Sequence, residues 1–223
     1  MIQAIVFDFD GVIVDTEPLH HQAFLKALDD HDIRFDFETY RQRYIGFDDR
    51  DGLRAICRDH DVALSNDELT ERIDRKARAF EQLSSGDLKP LPGVVELAEA
   101  AAAVMPVGLC SGALRSDIEC VLPNLDGGRL LPLFKAWVTA DDVEKSKPDP
   151  SSYALSAVRL GQEPHHCLAI EDTPTGLQSA HDAGFQTLGV SQLHSDRQLA
   201  PWAGRYVQSL AEVDLQTLQQ WYP

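Results

Sequence analysis

Short apolar runs rich in β-branched residues, at 4–8, 107–111, 136–139, 167–171 and 187–190, recur along this chain, with a weaker one at 205–207. Helical patterns at 94–104, 116–122, 151–160 and 175–183 lie between them, and Gly161 and Gly184 stand where two of these helices would end in a left-handed residue. Strand–helix alternation of this kind leaves one economical solution, an α/β fold with a parallel sheet and helices on both faces.

One segment breaks the rhythm. From about Glu17 to Leu88 the chain carries helical stretches at 19–30, 49–60 and 67–83 and no convincing strand. It reads as a helical insertion after the first strand, entered at Pro18 and left through Gly86 to Pro92 as hinge-like connections. The expected organisation is a core of residues 1–16 and 89–223 with a helical cap of 17–88. A cap over the carboxyl edge of the sheet would exclude water and select substrate.

With 223 residues, 43% of them hydrophobic, the chain can bury one sizeable core and a smaller one. A formal net charge of −16 argues against nucleic acid or an anionic membrane surface as partner, since both repel such a field. Anionic small molecules remain open, provided cations gather in one cleft. Cys57, Cys110, Cys120 and Cys167 are scattered without a Cys-x-x-Cys pair, which points to reduced thiols in a cytoplasmic setting rather than a disulfide framework or zinc site. The first strand begins almost at Met1, with no secretory signal ahead of it, and the small-apolar stretch 98–110 is interrupted by Glu99 and Pro106. Nothing in the pattern demands a second copy, so a monomer is the expectation.

The chemistry gathers at strand ends. Asp8 and Asp10 close the first run, two carboxylates on alternate residues where ligands bind in an open α/β sheet. Two like charges so close are costly to bury unless a cation or a proton offsets them. Ser111-Gly112 ends the second run with a hydroxyl and an unobstructed backbone N–H. Lys147-Pro148-Asp149-Pro150 follows the third with a cation on a stiff loop, and Glu171-Asp172 ends the fourth with two more carboxylates. Taken singly, these features read as a turn, a solvated lysine and a helix cap. Together, on one edge, they suit a hard cation such as Mg²⁺ beside a phosphoryl group.

In this order the residues resemble the haloacid dehalogenase-like hydrolase superfamily over essentially the whole chain. Residues 8–16, ending at Thr16, look like its first motif, Ser111 its second, Lys147 its third and Glu171-Asp172 its fourth. The insertion resembles the helical cap of the group that contains β-phosphoglucomutase and sugar-phosphate phosphatases. The resemblance implies a Rossmann-like core and a phosphatase that forms an aspartyl-phosphate. Asp8 would be the nucleophile, and Asp10 the acid and then the base. Mg²⁺ would be held by Asp8, the Asp10 carbonyl and Asp172, with Glu171 direct or through water. Ser111, Gly112 and Lys147 would hold the transferring oxygens, and Lys147 would keep Asp8 ionised.

Aspartate at position 10 marks the phosphatases and phosphomutases of the superfamily. The carbon–phosphorus-cleaving members depart there and use a cap lysine as a Schiff-base amine, a role that Asp10 argues against for Lys26 and Lys76. The mutase relatives carry a Ser-Lys-Asn-like run after the second motif, and this chain has Ala113-Leu114-Arg115 instead, which favours hydrolysis. A mutase remains the runner-up, and a non-catalytic ligand-binding module the alternative from another class. In the cap, Lys76 reads as a solvated helix residue rather than a substrate contact. His20 reads either as a group that couples cap closure to binding or as a helix-surface histidine. Arg50 is either a substrate contact or a helix N-terminal ion-pair partner, and Arg115 is a candidate partner for a distal anion of the substrate. His165-His166 are expected at the amino end of their strand, away from the site.

Overall fold

The computed structural model describes residues 1–86, 88–191 and 195–223; residue 87, inside the expected exit connection, lies outside them. Strands β1 Ala4–Phe7, β2 Val107–Cys110, β3 Phe134–Val138, β4 Cys167–Glu171, β5 Gln186–Val190 and β6 Arg205–Val207 form a sheet in the order β3-β2-β1-β4-β5-β6. Every pairing is parallel. The anticipated strands are thus all present, with ends moved by no more than two residues.

Side-chain alternation divides the core. Ile5 and Phe7 face one apolar cluster with Leu109, Ile170 and Leu188, and Ala4 and Val6 face another with Val138, Tyr153 and Ala169. Helices α5 Val94–Ala102, α6 Arg115–Val121, α7 Ser151–Leu160, α8 Pro174–Asp182, α9 Asp196–Leu199 and α10 Leu215–Trp221 belong to this part of the chain. β2 and β3 lie to one side of β1 and β4 to β6 to the other, so the strand order reverses at β1. That reversal opens a crevice at its carboxyl end.

The insertion forms helices α1 Glu17–Ala27, α2 Phe37–Arg43, α3 Asp49–Asp59 and α4 Asn66–Leu83 around an apolar cluster of its own that includes Phe24, Leu28, Tyr44, Leu53 and Ile56. Their starts are set locally. Asp36 and Asp48 accept from the N–H groups of Thr39 and Asp51 at 2.8 and 2.7 Å, and Ser65 with Glu68 makes a capping box. α2 is absent from the expectations above. Its seven residues bury only Tyr40, too few for a 3.6-residue period to show. Among the described residues no helix is long and apolar enough to cross a membrane, and Cys57, Cys110, Cys120 and Cys167 are free thiols.

Candidate active site

β1 delivers Asp8 to the crevice, where its N–H continues the ladder to the Ile170 carbonyl at 2.9 Å. The chain then turns at Gly11, whose φ of +79° is left-handed, and a Cβ there would fall on the Asp172 carboxylate. Glycine is therefore required twice over, for conformation and for close approach. Lys147, on the loop before α7, reaches back across the crevice. Its ammonium lies 2.7 Å from Asp8 Oδ1 and 2.7 Å from Glu171 Oε1, and donates to the Cys110 carbonyl at 3.1 Å. All three of its hydrogens are thereby engaged.

Glu171 and Asp172 stand in opposite situations although they are neighbours. Glu171 Oε1 accepts from Lys147 and, at 3.2 Å, from the Tyr153 hydroxyl. Its Oε2 accepts from the N–H groups of Asp172 and Thr173 and from the Thr173 hydroxyl at 3.0–3.1 Å. Thr173 Oγ1 in turn accepts the Gly176 N–H and caps α8. Asp172 is 1% exposed, and neither of its carboxylate oxygens has a hydrogen-bond partner among the described residues. Oxygens of Asp8, Glu171 and Asp172 lie within 4.8 Å of one another. An orphaned buried carboxylate in an oxygen-only donor set fits a hard divalent cation.

The charge balance agrees. Three buried carboxylates face one ammonium, and burial together with the repulsion of Glu171 pushes both the Asp8 and the Asp172 carboxyls well above the usual range. Lys147 pulls Asp8 down, but burial outweighs it. Lys147 by itself therefore does not offset the burial of this carboxylate cluster.

Asp10 is held from the other side. Thr16 Oγ1 donates to its Oδ1, His20 Nε2 lies 3.3 Å from the same oxygen, and Ser111 Oγ donates to its Oδ2 at 3.3 Å. Burial acts to raise the Asp10 carboxyl, but His20, the Thr16 hydroxyl and Lys76 together bring it below the ordinary value. Ser111 Oγ also accepts the Ala113 N–H at 2.9 Å, which fixes the hydroxyl beside Gly112 at the cavity wall.

Behind His20 sits Lys76, and the expectation of a solvated lysine fails there. Lys76 is 0% exposed and touches Asp49, Asp117 and His20 Nδ1, each at 2.8 Å. The Lys76 ammonium can only donate, so in neutral His20 Nδ1 is the acceptor and Nε2 carries the hydrogen that faces Asp10. His20 also stacks on Phe80 at 4.4 Å between centroids. It is a buried link between insertion and core rather than a surface residue. A second tie runs from Ser146, next to Lys147, to Asp48 and, at 3.3 Å, to Asp51 of α3.

The crevice holds about 530 Å³ of empty space, part of it open to solvent. Asp8, Asp10, Gly112, Lys147 and Glu171 line one end, and Glu17, Phe24, Tyr40, Phe47 and Asp49 line the insertion side. None of the latter five was a candidate site residue from the sequence. Arg50 and Arg115 are not in this wall. Arg50 is exposed on the first turn of α3, and Arg115 lies over Trp137 at 5.8 Å and pairs with Asp142 at 3.2 Å. His165 and His166 precede β4, at the opposite edge of the sheet.

A protein-family model described as a haloacid dehalogenase-like hydrolase matches residues 2–184. The chain is 29% identical over 189 residues to a phosphorylated carbohydrates phosphatase of Thermotoga maritima, covering 84% of each protein. It is 29% identical over 192 residues to the fructose-1-phosphate phosphatase YqaB of Escherichia coli, covering 85% of this chain and 96% of that one. The crystal structure of a β-phosphoglucomutase from Clostridium difficile superposes with a TM-score of 0.87 at 25% identity, over 100% of this chain and 97% of that one.

Proposed function

The chain belongs to the haloacid dehalogenase-like hydrolases, and on that premise we propose that it is a phosphatase of small sugar phosphates that works through a phosphoryl group carried on Asp8. The observation that carries this reading is the contrast at the fourth motif. Glu171 is fully occupied in holding Lys147 and α8, while Asp172 presents two buried, unpartnered oxygens toward Asp8. Mg²⁺ held by Asp8, Asp172 and the Asp10 carbonyl would supply the positive charge that lets a carboxylate approach a phosphate.

The chain's own groups do the rest. An Asp8 oxygen attacks phosphorus as the bond to the substrate oxygen breaks, while Lys147, Ser111 and the Gly112 N–H hold the phosphoryl oxygens. Asp10 gives its proton to the departing alkoxide. It then takes one from the water that attacks phosphorus and returns Asp8 as the free carboxylate. Asp10 is held ionised before substrate arrives. Its proton is therefore acquired with the ester, whose negative charge opposes the pull of His20. Residues 17–88 would act as the cap that keeps water out during the first half-reaction. A cytoplasmic setting, in keeping with the free thiols, and a monomeric state complete the proposal.

Phosphate release from a panel of sugar phosphates, with and without Mg²⁺ and with Asp8→Asn as control, tests the reading. Metal-dependent release abolished by the substitution supports it, and release that survives in Asp8→Asn would overturn it. A coupled assay for glucose 6-phosphate formed from β-glucose 1-phosphate separates hydrolysis from isomerisation. The mutase among the structural relatives makes that the necessary second arm.

A further inference from the structure

We infer that the insertion side of the cavity is a hydrogen-bond-accepting subsite, formed by Asp49 and the Glu17–Tyr40 pair, which selects monophosphates whose tail carries hydroxyl donors and no second anion. The inference rests on the phosphatase reading and narrows its substrate class.

Asp49 supplies the first observation. It is 5% exposed and lines the cavity, and only one oxygen is used, by Lys76 at 2.8 Å. The other, Oδ2, is buried with no hydrogen-bond partner among the described residues. A buried acceptor left unpaired is costly, and a substrate hydroxyl supplies what it lacks. Glu17 supplies the second. It too is buried and lines the cavity, and no cation pairs with it among the described residues. Its Oε2 accepts the Tyr40 hydroxyl at 2.6 Å. Phe24 and Phe47 complete this end, apolar faces against which the C–H surface of a sugar can lie.

The cations are equally telling, because neither nearby ammonium has a hydrogen to spare. Lys147 is committed to Asp8, Glu171 and the Cys110 carbonyl. Lys76 is buried behind His20 and committed to Asp49, Asp117 and His20. Arg50 and Arg115 lie outside the wall. A second phosphate or a carboxylate in the tail would thus meet the carboxyl groups of Glu17 and Asp49 and, among the described residues, no free ammonium or guanidinium in the wall. Like charges juxtaposed in a site of low dielectric disfavour binding. A polyol tail meets acceptors instead.

The test is a set of matched esters, read as ratios of kcat/KM so that overall activity cancels. Fructose 1-phosphate is compared with fructose 1,6-bisphosphate, glucose 6-phosphate with 6-phosphogluconate, and sorbitol 6-phosphate with n-hexyl phosphate, which offers no hydroxyl. The expected preferences are at least about tenfold against each added anion and on the order of 10²-fold for sorbitol 6-phosphate over the alkyl ester. Assayed at pH 8, where the raised Glu17 carboxyl is ionised, Asp49→Asn and Glu17→Gln, which keep shape and remove charge, should each shrink the anion discrimination by about fivefold or more. Bisphosphate hydrolysed as well as monophosphate, or hexyl phosphate as well as sorbitol 6-phosphate, overturns the inference while Asp8-dependent release still stands. Absence of Asp8-dependent release from every ester, p-nitrophenyl phosphate included, removes the phosphatase reading and this inference with it.

Discussion

Lys76 of α4 lies 2.8 Å from Asp117 of α6, an ion pair wholly out of solvent that joins the helical insertion to the core. The same ammonium holds Asp49 at 2.8 Å, so two buried carboxylates depend on one cation. Removing one partner of a buried pair leaves an uncompensated charge, which is far more costly than the pair is stabilising. Lys76→Met should therefore lower stability by about 3–5 kcal/mol in urea titrations. Adding Asp117→Asn should restore part of that loss. A single substitution costing under about 1 kcal/mol, the range of an exposed pair, would contradict the burial described.

Metal binding should release protons. Without a cation, burial pushes Asp8 and Asp172 well above the usual carboxyl range, and an incoming cation, which needs ionised ligands, displaces the protons they retain. Calorimetric titration of Mg²⁺ at neutral pH in two buffers of different ionisation enthalpy should give different apparent heats. In Asp172→Asn both the binding and the buffer dependence should weaken sharply. Identical heats in the two buffers would mean that the carboxyls are already ionised.

Glu17 gives the fold a pH dependence of opposite sign from that of an ion-paired carboxylate. Its carboxyl is pushed from 4.5 up to about 7, first by burial and then by the charges of Asp10 and Asp15, against His20 and the Tyr40 hydroxyl. A group raised in the folded state contributes its stability below 4.5 and loses it as pH climbs through about 7. Glu17→Gln keeps an acceptor for Tyr40 and removes the charge. In the presence of chelator it should match the wild type near pH 4.5 and exceed it by about 2–3 kcal/mol at pH 8. Equal stability at both pH values would show that Glu17 ionises freely.

Arg50→Ala and Arg115→Ala should leave kcat and KM within about twofold of wild type, because neither side chain reaches the cavity wall. Arg115→Ala also loses a half-exposed pair with Asp142, worth less than about 1 kcal/mol. A tenfold rise in KM for either variant would return that residue to the substrate.

The parts of the site that sit at strand ends were legible in the chain, because a polar residue closing an apolar run marks both an edge of the sheet and a position on it. Asp8, Ser111 and Glu171 each follow that rule. The insertion side was not legible. Glu17, Tyr40 and Asp49 belong to three helices, and only their packing brings them to one cavity. Lys76 misled for a related reason. α4 is polar along most of its length, and a lysine there looks solvated until Asp49 and Asp117 arrive from elsewhere in the chain to enclose it. The arginines misled in reverse: nearness to a motif in sequence suggested nearness to substrate, whereas Arg115 turns toward Trp137.

Lys147, whose three hydrogens are spoken for before any ligand arrives, sets a limit on affinity. A phosphoryl oxygen gains this ammonium only as another acceptor gives it up, so the contact is an exchange and not an addition. In the proposed mechanism Asp8 would be the acceptor best placed to yield, since it is the group that would turn to phosphorus. Once hydrolysis freed Asp8, the carboxylate would compete for its old partner and loosen the grip on inorganic phosphate. The donor that helps to capture the ester would in this way hasten departure of the product, and turnover would be spared a tightly held inhibitor of its own making.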